Sequence, residues 1–218
     1  MQFSKLLAVA AVVLLGPAVG WCLADVSLGL TVGEEGLKSF YLAIGEHYQA
    51  PEKDIVVLRE KKIPDEEMPV VFFLARHAEV DPAVIVTLRL GGKSWMDICL
   101  HFGLSVDIFY VPVKSDPGPP YGKAYGHYKK RKQDKWGEIR FSDIDIVNLV
   151  NLKFICERYG YSPDEVIKLR GSGSSFVDIN FKIKAQKQKE TAKAKQLSTS
   201  EGPQKQAPGK KDKGKEPK

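Results

Sequence analysis

A cluster of aromatic and basic side chains lies in the middle of the chain. It comprises Tyr125, Tyr128, Lys129, Lys130, Arg131 and Lys132. Aromatic rings can stack on bases or sugars while neighbouring cations contact phosphates, so the cluster predicts contact with a polyanion. The alternative is a flexible connector, rich in glycine and proline, whose charges are simply solvated.

Two arginine–aspartate pairs share one spacing. Arg89 precedes Asp97, and Arg170 precedes Asp178, by eight residues each time. Eight residues across a tight turn can bring both side chains together, either as a binding or catalytic pair or as a brace that holds the turn through charge-assisted hydrogen bonds. We favour the brace, because a feature that recurs within a chain usually serves the fold of each copy.

No other pattern indicates catalysis, a cofactor or a metal site. The four histidines form neither an HExxH nor an HxH pair, and no GxSxG, Walker or GxGxxG motif occurs. An enzyme needs a nucleophile or an acid–base pair in a pocket, and the sequence nominates none. We therefore predict no catalytic, cofactor-binding or metal-ligating residue.

Two segments that contain the arginine–aspartate pairs align without a gap when Pro82 is placed on Pro163. They are FFLARHAEVDPAVIVTLRLGGKSWMDI, from Phe72, and KFICERYGYSPDEVIKLRGSGSSFVDI, from Lys153. The shared pattern, P-x-x-[IV]-x-x-L-R-x4-S-[WF]-x-D-I, indicates internal duplication. A weaker copy begins near Phe40 and needs one inserted residue, and it has Arg59 and Glu67 in the places of the arginine and the aspartate.

Each copy reads as a long apolar helix, a turn and a short helix that begins at the proline. Asp81 and Ser162 stand where N-caps are expected, directly before that proline. Glycine then ends the short helix, and a third helix follows that begins with an aromatic anchor, Trp95 or Phe176. The sequence thus predicts a mainly α fold of two to three related helical-hairpin units.

The segment LARHAEVDPAVIVTLR resembles a DNA-binding helix-turn-helix, and ICERYGYSPDEVIKLR is similar. A recognition helix needs basic and amide side chains near its N-terminus to meet phosphates and base edges. The corresponding residues, 82–84 and 163–165, are apolar or acidic. We therefore interpret these segments as helical hairpins that share only the packing geometry, and nucleic acid is not the favoured partner.

Residues 1–24 have the layout of a bacterial-style secretory signal peptide. Lys5 precedes an apolar run of about ten residues, and small residues lead up to Ala24. Such a run is too short for a bilayer, which needs roughly 20 apolar residues. We expect cleavage after Ala24, with Gly20 as the competing site, and a periplasmic or secreted protein without a transmembrane span. The alternative is a retained anchor or a buried apolar helix.

The net charge of +6 is unevenly distributed. Residues 182–218 hold twelve lysines and four acids, and residues 114–140 hold eight basic and three acidic residues. The remainder of the chain is therefore mildly acidic. The tail has few large apolar residues, which predicts disorder for most of it, although its first half has a composition that favours helix and could extend the preceding one.

Two cysteines, Cys99 and Cys156, remain once Cys22 leaves with the signal peptide. In an oxidising compartment they could form one disulfide. Each also lies on what reads as an apolar helix face, where a free cysteine packs as a small apolar side chain. The sequence leaves both arrangements open.

These observations divide the chain into five parts. They are a signal peptide (1–24), a region of two helical units (25–113), an irregular basic aromatic loop (114–140), a third helical unit (141–181) and a largely disordered tail (182–218). Short extended pieces are expected at 26–32 and 108–113.

The favoured function is that of an exported, non-enzymatic helical interaction protein. Its partner would be a protein or an anionic polymer, with the basic segments contacting the polymer. One alternative is a nucleic-acid-binding module of the helix-turn-helix kind. The other is an extracytoplasmic enzyme that acts on the cell wall, which would require a deep polar pocket.

Overall fold

The computed structural model describes residues 33–200 of the chain, and within them nine α-helices form most of the structure. They are α1 (Glu34–Tyr48), α2 (Glu52–Glu60), α3 (Met68–Ala78), α4 (Pro82–Leu90), α5 (Trp95–His101), α6 (Gly122–Lys129), α7 (Asp143–Tyr159), α8 (Pro163–Gly171) and α9 (Phe176–Ser200). Short 3-10 helices cover Asp65–Glu67, Val106–Phe109 and Gln133–Glu138. No β-strand occurs in residues 33–200. The predicted mainly helical fold class is thus confirmed for this part of the chain.

Helices α3 and α7 form the centre of the fold and pack against each other. Every residue of α3 from Met68 to Ala75 is buried, and so is α7 from Asp145 to Ile155 except for Lys153. A helix that is buried on all sides needs neighbours that cover each of its faces. Helices α1 and α4 cover α3, while α1, α8 and α9 cover α7.

Side-chain caps determine where the short helices begin. The Asp81 carboxylate accepts a hydrogen bond of 2.7 Å from the backbone N–H of Ala83, and Pro82 is the first residue of α4. Four serines act as N-caps in reciprocal capping boxes, each with an acid three residues further on: Ser94, Ser142, Ser162 and Ser175. These boxes satisfy N–H groups that no intrahelical carbonyl can reach.

Turns of the same kind join α4 to α5 and α8 to α9. Gly92 has a φ of +87° and Gly173 a φ of +91°, a conformation that residues with a Cβ rarely adopt. The helix after each turn begins with a fully buried aromatic residue, Trp95 or Phe176. Helices, turn and anchor therefore follow one another in the same order in α3–α4–α5 and in α7–α8–α9.

One face of residues 114–140 packs against the core, whereas their composition predicted an irregular loop. The segment contains α6 and a 3-10 helix, and Tyr121, Tyr125 and Tyr128 are buried. The physical reason is helical spacing, because tyrosines at i, i+4 and i+7 share one face. The extended piece expected at 108–113 is found only in part, since the 3-10 helix Val106–Phe109 covers its start and Tyr110, the next residue, has extended backbone angles.

Helix α9 continues into the lysine-rich region that begins at residue 182. Ile183 is buried there, whereas residues 186–196 are all exposed. At about 1.5 Å per residue, this exposed stretch is roughly 16 Å long. Residues 201–218, the predicted signal peptide and the extended piece expected at 26–32 lie outside the described residues.

Cys99 and Cys156 are free thiols, which decides between the two arrangements that the sequence left open. Cys99 is buried on α5 and Cys156 is half-buried on α7. Burial raises the pKa of each thiol to about 12. The thiols are thus protonated at neutral pH and act as apolar packing groups.

None of the helices within residues 33–200 combines the length and the apolar character that crossing a lipid bilayer requires.

Candidate functional site

The two tyrosines of the predicted polyanion cluster belong to the core. Tyr125 and Tyr128 are 7% and 4% exposed. The Tyr125 hydroxyl donates a hydrogen bond of 2.6 Å to the carbonyl of Val111, and that of Tyr128 one of 2.7 Å to the carbonyl of Val106. Burial raises the pKa of both hydroxyls. Rings in this position are not available to stack on a base, so the stacking role predicted for them is corrected to a structural one.

We expect Tyr125→Phe to lower the free energy of unfolding by about 1–3 kcal/mol, because the carbonyl of Val111 would lose its buried donor. Urea denaturation measures this difference. The exposed residue Lys130 provides the control, since Lys130→Gln should change stability by no more than about 0.5 kcal/mol. A Tyr125→Phe variant as stable as the wild type would contradict the role assigned to the hydroxyl.

The four cations of the cluster lie at or near the surface but differ in their partners. The Lys129 ammonium contacts both carboxylate oxygens of Asp116, at 2.6 and 2.8 Å. The Arg131 guanidinium is half-buried and lies 3.5 Å from Nδ1 of His127. Lys130 and Lys132 are exposed and form no ion pair with another residue of the described part of the chain. Of the predicted cluster, these two lysines remain best placed to contact a polyanion.

A longer basic surface lies on α9, and we call residues 182–196 the basic helix. It contains six lysines and one acid: Lys182, Lys184, Lys187, Lys189, Glu190, Lys193 and Lys195. Successive residues of a helix turn by about 100° around its axis, so these lysines point in several directions. The basic helix therefore presents positive charge on more than one side.

Arg89 is held by two carboxylates and an aromatic ring. Its Nε and Nη2 donate to Glu67 at 3.1 and 3.0 Å, and its Nη1 donates to Asp143 at 2.6 Å. The second oxygen of Asp143 accepts the backbone N–H of Trp95 at 2.7 Å, and the guanidinium lies 4.6 Å from the centre of the Trp95 ring. Burial lowers the pKa of Arg89, but the hydrogen bonds to the two carboxylates outweigh it and raise that pKa overall.

Arg170 has an equivalent environment built from other elements. It forms a bidentate pair with Glu66, with N–O distances of 3.2 and 2.9 Å, and its Nε donates to Asn148 at 3.2 Å. The same Glu66 accepts the backbone N–H of Phe176 at 2.7 Å, and the guanidinium lies 4.4 Å from the Phe176 ring centre. In both places one carboxylate from a distant part of the chain bonds the arginine and the first N–H of the anchored helix.

The predicted pairing of Arg89 with Asp97, and of Arg170 with Asp178, is therefore wrong. Each aspartate is the third residue of its helix and reaches back to the serine that caps that helix. Each arginine does brace its turn, but through a backbone carbonyl, that of Lys93 at 3.2 Å or of Ser174 at 3.1 Å. The carboxylate partners were missed because they lie 22, 54 and 104 residues away in the sequence.

A surface groove of about 790 Å³ lies between α1 and α2, and we call it the α1–α2 groove. Leu42 and Val56 are exposed along it. At its base the Tyr41 hydroxyl donates to Asp65 at 2.5 Å, and the Arg59 guanidinium lies 5.0 Å from the Tyr41 ring. Burial and the bond to Asp65 raise the pKa of Tyr41 to about 12. An apolar floor with charges at the rim suits the binding of another helix.

Groups of His, Cys, Asp and Glu side chains that could hold a metal ion do not occur among the described residues. The histidines instead contact aromatic neighbours: His47 lies 5.2 Å from the Phe154 ring centre and His77 lies 4.4 Å from that of Phe73. Burial is the main cause that lowers the pKa of both imidazoles. These contacts give both histidines a packing role.

No protein-family model, curated protein or solved structure matches this chain.

Proposed function

We propose that the protein is an exported, non-enzymatic interaction protein that binds an anionic polymer through the basic helix, assisted by Lys130 and Lys132. The observation that carries the proposal is the exposure of every side chain from residue 186 to residue 196 on a lysine-rich helix. A helix that is polar on all sides buries no apolar stripe and gains little from packing. The lysine-rich sequence of this helix is therefore better explained by the binding of a partner than by packing within the chain.

The chemistry of lysine defines the class of partner. An ammonium group is a strongly hydrated point charge that attracts phosphate or sulfate without the planar geometry by which arginine selects its ligands. Six lysines and one glutamate leave the basic helix with a net charge of +5. Binding would then follow the charge density of the polymer rather than its sequence, as in non-specific contacts to a phosphate backbone.

Export is the second part of the proposal, and it rests on the pattern of residues 1–24. In the periplasm or outside the cell, the anionic polymers within reach are those of the envelope and the cell wall. Cell fractionation combined with N-terminal sequencing tests this part. We expect a mature chain that starts at Asp25 in the extracytoplasmic fraction, and an intact N-terminus in the cytoplasm would contradict it.

The helix-turn-helix alternative has less support from the side chains. The first turn of α4 exposes Ala83 and Val84, which offer no hydrogen bond to a base edge. In the first turn of α8, Asp164 accepts hydrogen bonds from the Ser115 hydroxyl at 2.9 Å and the Lys114 N–H at 3.3 Å. That turn is both acidic and in contact with another segment of the chain.

We also propose that α3–α4–α5 and α7–α8–α9 are copies of one duplicated helical unit. The gap-free alignment, the capped third helices and the arginine stacked on an aromatic anchor in both places support it. The segment of α1 and α2 departs further from the pattern. Its Arg59 stacks on Tyr41, and Glu67 bonds Arg89 rather than Arg59.

The binding proposal is tested by replacing Lys184, Lys187, Lys189 and Lys193 with glutamine. Affinity for a short double-stranded DNA, used as a probe polyanion, is measured by fluorescence anisotropy at several salt concentrations. If all four lysines contact phosphates, the slope of log K against log salt should become shallower by about 3–4.

A control with the same change in net charge replaces the exposed Lys53, Lys61, Lys93 and Lys168 with glutamine. This variant should keep nearly all of the wild-type affinity and salt dependence. Equal losses in both variants would show that only the net charge matters, and binding independent of salt would rule out an electrostatic mechanism.

A further inference from the structure

We infer that the α1–α2 groove is the interface of a twofold-symmetric dimer, and that α1 of a second copy of this chain occupies it. The groove of about 790 Å³ is open at the surface. Leu42 of α1 is 50% exposed and Val56 of α2 is 40% exposed, and both line it. Large apolar side chains gathered along one groove and bordered by charges are typical of a binding surface.

The outward ridge of α1 has the shape of a helix–helix contact. Lys38, Leu42 and Glu46 follow one another at intervals of four residues and are all exposed, so they lie on one face. Gly45 lines the groove on the same helix, and its lack of a side chain lets α2 of the same chain pack closely, because a Cβ there would lie 3.3 Å from Cδ1 of Ile55.

The charges on this ridge are complementary to themselves when two copies of α1 run antiparallel. Lys38 and Glu46 each lie four residues from Leu42, one before it and one after it. A twofold axis through Leu42 therefore places Lys38 opposite the second copy's Glu46, and symmetry forms the same pair twice. This is the self-complementary pattern that a twofold interface requires, and a parallel alignment would instead oppose like charges.

Lys38 and Glu46 are both available to form an ion pair with a second copy of the chain. Lys38 forms no ion pair with another residue of the described range 33–200. The Glu46 side chain is 61% exposed and contacts Arg158 of its own chain through Oε2, so Oε1 faces no donor within that range. A second copy can thus add a contact without breaking the existing one.

The mixed charges of the rim separate this surface from the proposed polymer-binding helix. Glu34, Glu46 and Glu52 stand beside Lys38 and Arg59 around the groove. A polyanion would be repelled by three carboxylates, whereas a helix that carries both signs meets an opposite charge along its length. Dimerisation is therefore independent of the proposed function.

Sedimentation-velocity ultracentrifugation of the purified protein over a range of concentrations tests the inference. We expect a concentration-dependent dimer, and Leu42→Asp should raise its dissociation constant at least about 100-fold, since a charge would lie on the axis. The control is Leu90→Asp, a residue 55% exposed on α4 that should leave the dimer intact. A wild-type protein that is monomeric at about 100 µM, or two variants that weaken the dimer equally, would overturn the inference.

Charge reversal tests the antiparallel register itself. Lys38→Glu and Glu46→Lys should each raise the dissociation constant about 10-fold, and the double variant should recover to within about 3-fold of the wild type. Arg158→Gln removes the other contact of Glu46 and should not change dimerisation. If the double variant instead shows the two losses added together, the register is wrong and the inference fails. Leu42→Asp should bind the probe DNA with unchanged affinity per chain, which separates this result from the polymer-binding proposal.

Discussion

Replacing Glu66 with glutamine should lower the free energy of unfolding by about 2–3 kcal/mol, the range for losing hydrogen bonds to a charged group. The Glu66 side chain is 25% exposed and that of Arg170 is 17% exposed, so the pair is half-buried. The Glu66 carboxylate bonds both terminal nitrogens of the Arg170 guanidinium and the first N–H of α9. Glutamine keeps the size of the side chain, but its amide offers only one acceptor oxygen and turns its NH₂ group towards arginine donors.

The neighbouring residue provides a matched control. Glu67 also forms a bidentate pair, with Arg89, but Asp143 contacts the same guanidinium at 2.6 Å. Glu67→Gln leaves Arg89 with that second carboxylate, so we expect a loss of only about 1 kcal/mol. Urea denaturation of both variants measures the difference. Equal losses of stability in the two variants, or a smaller loss for Glu66→Gln, would contradict this prediction. Neither the hydrogen bond to the first N–H of α9 nor the lack of a second carboxylate beside Arg170 would then make Glu66 the more important residue.

A double-mutant cycle assigns the loss to the pair itself. Glu66→Gln and Arg170→Gln should be strongly non-additive, with a coupling energy of about 1–3 kcal/mol, because each removes the same contact. Glu66→Gln and Arg89→Gln should be nearly additive, since Arg89 bonds Glu67 and Asp143 instead. If Glu66→Gln and Arg170→Gln were additive, the loss of stability caused by Glu66→Gln would come only from the hydrogen bond to the first N–H of α9.

Local features of the fold could be predicted from the sequence because their causes are local. Asp81 and Ser162 cap the helices that were expected to follow them, and Trp95 and Phe176 are fully buried at the starts of α5 and α9. A cap needs only a short polar side chain before a proline or an apolar run. A large aromatic residue at the start of such a helix is expected to be buried in the core.

The contacts of the arginines could not be predicted, because they depend on which helices lie side by side. Glu66 and Glu67 stand at adjacent positions in front of α3, yet they bond arginines that lie 104 and 22 residues further on. Glu67 meets Arg89 because α4 packs against α3, and Glu66 meets Arg170 because α3 and α8 both pack against α7. The one local sign was a pair of acids directly before an apolar helix, which the macrodipole alone also explains.

The burial of Tyr125 and Tyr128 shows a different limit of prediction from the sequence. Their sequence alternates with lysines and glycines, so composition described the segment as solvated. The spacing of the tyrosines placed them on one helix face, and a face of three rings is apolar enough to join the core. Spacing was the better guide here, because burial is decided by the face of the helix and not by the average of the segment.

Replacing Trp95 with alanine should cost about 3–5 kcal/mol, the range for removing a large aromatic side chain from a core. The side chain is fully buried, and its ring supports the guanidinium of Arg89 at 4.6 Å. Both the cavity and the loss of the cation–π contact act in the same direction. The exposed Leu90 is the control, since Leu90→Ala should cost no more than about 0.5 kcal/mol.

The substitution Trp95→Phe should lower the free energy of unfolding by only about 1 kcal/mol or less, which is a smaller loss than the reduced side-chain volume implies. The indole Nε1 of Trp95 is buried and has no hydrogen-bond partner among the described residues, so its removal relieves an unsatisfied donor. Phenylalanine also occupies the equivalent place under Arg170, where the guanidinium lies 4.4 Å from the ring. A Phe variant as unstable as the Ala variant would mean that the indole N–H is satisfied in solution, whereas a small loss would show that the ring face under the arginine is what stabilises the start of α5.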